Sequence, residues 1–502
     1  MKNYETEAAW EYHGGTKHPN GILLNRLHTY HPANRPYPYK KYRNARQIML
    51  SLDRHPTGIS ALDAISDSVR QYKGIIPDVN LLSRILYFSG GITKTIKFSP
   101  PLGEVEFRAA SCTGALYHIE MYIVCSDVPG LEAGVYHFDP KNMSLSVLRK
   151  GDYRRVIADA TADDSSMSRY AVTLVFTDVF SRNAVKYQAR EYRHAFWDCG
   201  TMLANSLAMA SAHRVPYKIT MGFVDYQVNQ LLGLDEKKEA SLALLSLGNP
   251  VQYSAGPLPL DKIAESEALE YDFDLTAIND MHESSSLTSR QEVSAWRNQA
   301  DQKVLHTDKK ENSLASHAGA DEGIEQTIIS RGSTRKFSHD SISQEQLSTI
   351  LATSTKGIVS DFENVTINDV YLIANAVDGV EKGAYFYNKK ESLLKVLQKG
   401  EMRHVAGHLG LDQSLPFDAS VAIFFMADLQ KVLQQFGNRG YRVAQMDASI
   451  MAGRMYLASY ALRIGATGLT FYDDEVTDFF SPHASNKSAM FMLAIGKKAR
   501  KT

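Results

Sequence analysis

The chain has 502 residues, and 55 Lys and Arg against 56 Asp and Glu leave a formal net charge of -1. That balance argues against an electrostatic nucleic-acid binder, and 44% hydrophobic with 22% charged residues excludes disorder along the whole length. Three cysteines, Cys112, Cys125 and Cys199, are too few for a stapling framework and fit a reducing compartment. The first residues, Met1 to Glu7, carry acids where a secretion signal needs a basic and then an apolar run. The apolar windows, such as Leu242 to Leu247 and Val421 to Ala427, fall far short of the roughly 18 residues that span a bilayer. A soluble, cytoplasmic protein is expected, with neither nucleic acid nor membrane as partner.

Sliding the chain along itself gives one strong match, an ungapped shift of 249 residues over more than a hundred positions. Gly130, Glu132, Gly134 and Tyr136 fall on Gly379, Glu381, Gly383 and Tyr385; Leu148, Lys150, Gly151, Arg154 and Val156 fall on Leu397, Lys399, Gly400, Arg403 and Val405. Arg190, Tyr192, Arg193, Asp198, Met202 and Asp225 meet Arg439, Tyr441, Arg442, Asp447, Met451 and Asp474. Upstream the shift is 265, with Ser68, Arg70, Leu82, Leu86 and Ser89 on Ser333, Arg335, Leu347, Leu351 and Ser354. The difference is a 16-residue insertion in the first copy, between Gly91 and Ser111. Two tandem copies of one domain follow.

In chain order the first copy predicts a helix over Asn80 to Phe88, an apolar strand over Ile119 to Cys125, a hairpin around Gly134 and a strand over Ala171 to Thr177. A helix rich in small residues follows over Tyr192 to His213, and a last strand over Leu242 to Leu247. The second copy repeats this with Ser343 to Thr353, Asp369 to Ala374, Gly383, Ser420 to Ala427, Tyr441 to Leu462 and Ala489 to Ile495. Helices and strands without strict alternation predict α+β layered domains. The organisation read is an extension over 1–59, domains over 60–255 and 323–502, and a polar linker over 256–322 with a helix near Gln291 to Gln299.

No zinc-type Cys or His pair, HExxH, Walker loop, GxSxG elbow or GxGxxG is present, which lowers the odds of metal, phosphohydrolase, serine-hydrolase and Rossmann chemistry. Four segments remain. Arg331, Ser333, Arg335 and Phe337 set two guanidinium forks and a hydroxyl before a helix, a donor set that suits a phosphate. Taken alone, such a string is more often solvated surface. Arg108 to Gly114 ends in small residues that let backbone groups approach a planar ligand, or forms a plain loop. Lys186 and Tyr187 precede the small-residue helix, and read alone are surface residues. Gly465 to Leu469 presents amides or simply ends a helix.

The Arg-x-Ser-x-Arg-x-Phe string, the run from Ser111 to Tyr117, the Lys186-Tyr187 pair before Arg190, Tyr192 and Arg193, and Tyr12 and His13 together resemble SagB-type azoline dehydrogenases of the nitroreductase superfamily. The resemblance implies two nitroreductase-like domains, each a mixed sheet flanked by helices, packed as an intramolecular pseudo-dimer able to work as a monomer. It also implies FMN as cofactor, no metal, and an azoline-containing peptide, free or carrier-bound, whose thiazoline or oxazoline ring is aromatised. Carried over by residue, FMN would be held by Arg331, Ser333, Arg335, Thr467, Gly468, Leu469, Lys497 and Lys498 of the second copy and by Ser111, Cys112, Thr113 and Gly114 of the first. Lys186 and Tyr187 would supply the base. The family's proline before the serine is Ala110 here.

The first copy has Ser66 for Arg331 and Asn249 and Pro250 after Gly248; the second has Ser360, Asp361, Phe362 and Glu363 for the small-residue loop and Gln435 and Phe436 for the Lys-Tyr pair. All matching motifs therefore collect at one site, and one FMN per chain is expected. The rivals are a broad NAD(P)H-dependent nitro or quinone reductase and a flavin-free scaffold.

Overall fold

A computed structural model describes residues 2–19, 35–66, 75–99, 103–162, 170–253, 258–263, 266, 273–302, 322–362 and 367–499. Ser68 and Arg70 of the repeat, and Glu363 of the second loop, lie outside the described residues.

Two sheets of the same order carry the two copies. The first runs Gln47–Met49, Ser144–Lys150, Gly134–Asp139, Ile119–Cys125, Tyr170–Val179, Glu239–Pro250, Tyr217–Thr220; the second runs Leu393–Lys399, Gly383–Asn388, Asn368–Ala374, Val421–Ala427, Ser488–Gly496, Gly465–Leu469. The resemblance implied mixed sheets, but every ladder in both is antiparallel. Parallel pairing is confined to the short pair Ile342–Ser343 with Val377–Asp378 and to isolated bridges among the described residues. Central strands such as Ile119–Cys125 and Val421–Ala427 are buried throughout, which explains their unbroken apolar runs. The 16-residue insertion is a hairpin, Ile92–Lys97 with Glu104–Arg108, rich in β-branched Ile92, Thr93, Thr95, Ile96 and Val105. Among the described residues no helix is long and apolar enough to cross a membrane.

The two copies meet through the long helices Glu191–Ala212 and Arg439–Ala461, the first buried end to end and the second at every residue but Asp447. Small residues set their approach. A Cβ on Gly200 would overlap Ser449 Oγ, and one on Gly453 would come within 2.7 Å of the Ala204 Cβ. Gly200 and Ser449 are repeat equivalents, as are Ala204 and Gly453. Contact between a residue and its own equivalent occurs only beside a two-fold axis, so the pseudo-dyad passes between these helices.

Reciprocal ion clusters close both ends of the interface. Arg190 and Arg193 of the first copy donate to Asp473 of the second at 3.0 and 2.6 Å, and Arg439 and Arg442 of the second donate to Asp225 of the first, both at 2.7 Å. All six side chains are buried. The shift of 249 pairs Asp225 with Asp474, and the structure corrects this. The second copy has one residue fewer between Arg463 and Asp473 than the first has between Arg214 and Asp225, both helices Asp225–Leu232 and Asp473–Phe479 start on the paired aspartate, and the equivalent acid is Asp473.

The reciprocity extends into the two segments outside the repeat. Helix Glu7–Gly15 brings the His13 carbonyl and Thr16 hydroxyl to Arg193 at 2.7 and 3.0 Å, while helix Thr276–Ser284, inside the predicted linker, brings the His282 carbonyl and Ser285 hydroxyl to Arg442 at 2.6 and 2.8 Å. His13 faces Tyr441, and His282 faces its equivalent, Tyr192. The repeat therefore starts with a helix that sequence comparison does not detect. A second linker helix, Arg290–Gln302, buries Val293 and Trp296.

Burial alone would raise the carboxyls of Asp225 and Asp473, but the facing arginines outweigh it and hold both below the usual carboxylate range. Removing one carboxylate leaves two buried guanidinium groups uncompensated. Asp225→Ala should therefore lower stability by about 3–5 kcal/mol, read as a fall in urea midpoint; a loss of about 1 kcal/mol or less, the value of an exposed pair, would contradict the assignment. With native pKa values below the unfolded value of about 3.9, this stability is fully present above that pH and is lost as pH falls through the native pKa values.

Candidate active site

The pseudo-dyad generates two crevices, each between the loop-bearing side of one copy and the last strands of the other. In the first crevice the Arg331 guanidinium of the second copy donates to the carbonyls of Ala109 and Arg108 in the first copy, at 2.9 and 3.3 Å. Ser333 bridges to Ala466, and the Thr334 amide donates to the Ala466 carbonyl at 2.9 Å. The C-terminal segment runs alongside: Ser338 donates to the Lys497 carbonyl and Ala499 to the Lys336 carbonyl. Lys498 stands over the Tyr460 ring at 3.7 Å and against Gly465. Lys497 is exposed, and the structure ties only its backbone to this string. Arg335 is exposed and makes no hydrogen bond or ion pair among the described residues.

The first copy supplies the opposite wall. Helix Phe180–Tyr187 ends with Lys186 and Tyr187, and the phenol hydroxyl approaches Gly114 so closely that a Cβ there would sit 2.9 Å away. Tyr187 is fixed edge-on to His194, with ring centroids 4.6 Å apart. Burial and the Arg335 guanidinium of the other copy hold Lys186 below the usual lysine range. Burial and the negative Asp198 raise the Tyr187 phenol. The Ser111 carbonyl accepts from Thr201, and Thr113 is tied to Asp198.

Between these walls no hydrogen bond joins residues 111–114 to Gly465–Leu469 among the described residues. The donor set suits a phosphate-bearing planar group: Arg331, Arg335, Lys186 and Lys498 bring positive charge to it, and among the described residues the buried Thr334 and Thr470 hydroxyls have no hydrogen-bond partner. The Gly468 amide is already used by the Tyr456 hydroxyl.

The second crevice is filled by the chain itself. The Ile219 amide donates to the Val359 carbonyl at 2.9 Å, and Asp361 lays its carboxylate on the amides of Met221 and Gly222, at 3.0 and 2.7 Å. Trp296 packs on Gly222, donates to the Phe436 carbonyl at 3.1 Å and is fully buried. Gln435 donates to the Gln299 carbonyl at 2.9 Å. In the first crevice the strand registers put Thr470 at the place of Met221, and no described side chain accepts from its amide. Ser66 ends a buried helix, and Asn249 is bonded through its amide to Ile75.

Sequence reasoning missed Asp361 as a plug and Trp296 as its cover. A lone tryptophan in a polar stretch was the available signal.

Comparison with known proteins places these features. A protein of Anabaena variabilis ATCC 29413 with a nitroreductase name has a crystal structure that superposes over 98% of this chain and 99% of its own, with a TM-score of 0.75 at 23% identity. The microcin B17-processing protein McbC of Escherichia coli is 26% identical over 204 residues, 40% of this chain and 68% of McbC. The trifolitoxin-processing protein TfxB of Rhizobium leguminosarum bv. trifolii is 24% identical over 170 residues, 33% of this chain and 45% of TfxB.

Burying a tryptophan against glycine makes the plug structural. Trp296→Ala should cost about 3–5 kcal/mol in chemical denaturation, and a variant as stable as the parent would contradict the packing described. The nitroreductase family profile matches residues 68–249 and again 328–497, covering more than half of the chain, and the chain belongs to the nitroreductase family as a two-copy member with an oxidoreductase role.

Proposed function

We propose that this chain is an FMN-dependent dehydrogenase that converts azoline rings of a peptide to azoles, with one working site per chain. The observation that carries the reading is the meeting of Lys186 and Tyr187 with the Arg331 to Arg335 string in one crevice while Asp361 and Trp296 fill the other. The resemblance to azoline dehydrogenases and the peptide-processing names of McbC and TfxB support the substrate class.

FMN, when bound, supplies the acceptor for the hydride that leaves the ring. The chain's own groups do the rest. Arg331, Arg335 and Lys498 would hold the FMN phosphate with Ser333 as a further donor, and the segment from Thr467 to Thr470, apart from the engaged Gly468 amide, would face the flavin edge. Lys186 takes the ring proton: its lowered pKa leaves a larger neutral fraction near neutrality, the form a general base needs. Tyr187, kept protonated by its raised pKa, donates a hydrogen bond beside Gly114 and orients the ring.

Charge-assisted hydrogen bonds contribute roughly 1.5–3 kcal/mol each, so Arg335→Ala should weaken FMN binding about tenfold or more in equilibrium dialysis; unchanged affinity would remove Arg335 from the site. Lys186→Ala should slow azoline oxidation roughly a hundredfold or more, the usual general-base contribution, with FMN still bound, and mass spectrometry of two-hydrogen loss reads this directly. Because the base must be deprotonated, parental turnover should rise with pH through a limb below the ordinary lysine value of about 10.4, and Lys186→Ala should lack that limb. Near-parental oxidation by both Lys186→Ala and Tyr187→Phe would favour a broad nitro or quinone reductase instead.

A further inference from the structure

Beneath the loop that faces Lys186 and Tyr187 lies a charged relay that the chemistry above does not use. His118 donates from Nε2 to Asp198 and lies against Asp178 through Nδ1, both at 2.7 Å, and all three are buried. A histidine set between two carboxylates carries both protons. On its far side, Asp198 accepts from the Thr113 amide at 2.7 Å, the Thr113 hydroxyl at 2.9 Å and the Cys112 thiol at 3.1 Å. Four donors from His118, Cys112 and Thr113 thus converge on one carboxylate.

The loop needs such a pin. Gly114, Ala115 and Tyr117 all have positive φ, at 62°, 53° and 49°, and two of them carry side chains that disfavour it. Strain of this kind persists only where the surroundings over-determine the conformation. Gly114 in turn packs on the Tyr187 hydroxyl, so the pin also sets the Tyr187 wall.

The second copy lacks the relay. The shift of 249 puts Ile367 at His118, Ala427 at Asp178 and Phe362 at Thr113. Asp447 survives at Asp198 but accepts from Asn368 at 2.8 Å. The relay belongs to the copy whose loop lines the open crevice.

We propose that Asp198, held by His118 and through it by Asp178, is a positioning residue that locks Cys112 to Gly114 in the strained shape which places Tyr187 in the site. The proposal deepens the reading of this site as the dehydrogenase centre and rests on it for its catalytic meaning.

Cys112 provides a readout that needs no turnover and is taken on flavin-free protein, since it is half-buried on the pinned loop while Cys125 and Cys199 are fully buried. N-ethylmaleimide labelling of the folded full-length chain, followed by peptide mass spectrometry, should show Cys112 modified at least tenfold faster in Asp198→Ala and in His118→Gln than in the parent. The double variant should be no faster than the faster single one, because both act on the same lock. In the two single variants turnover of an azoline peptide should fall tenfold or more in kcat with FMN content retained. Labelling within twofold of the parent in both variants would overturn the proposal, and so would strictly multiplicative effects. If Asp198→Ala fails to fold, His118→Gln, which leaves the Asp198 carboxylate in place, carries the same test. A chain that binds no FMN would refute the proposed function and leave the labelling result standing.

Discussion

The structure turns on two buried carboxylates that each neutralise a pair of arginines from the other copy. Asp225 holds Arg439 and Arg442, and Asp473 holds Arg190 and Arg193. Neither domain can leave its partner without stranding charge in a dry interface, where an unpaired ion is far more costly than the pair was worth. The glycine and alanine contacts between Glu191–Ala212 and Arg439–Ala461 allow the close approach, and the ion clusters fix its register. Both crevices inherit their geometry from that register, because each is walled by one copy and floored by the other.

Fusing two copies in one chain frees the crevices to differ. In a dimer of identical chains any substitution appears in both sites; here each is confined to one. The first crevice keeps positive charge beside a pinned, strained loop. In the second, Asp361 puts a carboxylate on the amides of Met221 and Gly222, and Trp296 fills the remaining space. An acid resting on backbone amides satisfies the same donors that a ligand would, so the second crevice is stabilised by closing while the fold retains its two-fold packing.

Much of this was legible in the sequence. The repeat announced two domains and the dyad helices, because small residues recurred at one fixed shift; the insertion before Ser111 appeared as the hairpin Ile92–Lys97 with Glu104–Arg108. The pairing of Lys186 with Arg335 in one site is expected from the family resemblance and not from spacing, since the two lie in different copies. What sequence concealed has physical causes. A one-residue deletion hid Asp473 behind Asp474. The helix Thr276–Ser284 conserves a carbonyl and a hydroxyl for Arg442 rather than a residue pattern, so no identity marked it as the counterpart of Glu7–Gly15. The relay of Asp178, His118 and Asp198 joins two strand ends to a long helix, positions far apart in the chain with no motif between them.

In the proposed function the two copies build one functional crevice between them and close the other. The most direct test is to denature the purified full-length chain after saturation with FMN and removal of free flavin, and to quantify the FMN released per polypeptide. The value expected is near one, and lower in Arg335→Ala. A value near two, or one that survives Arg335→Ala unchanged, would contradict it.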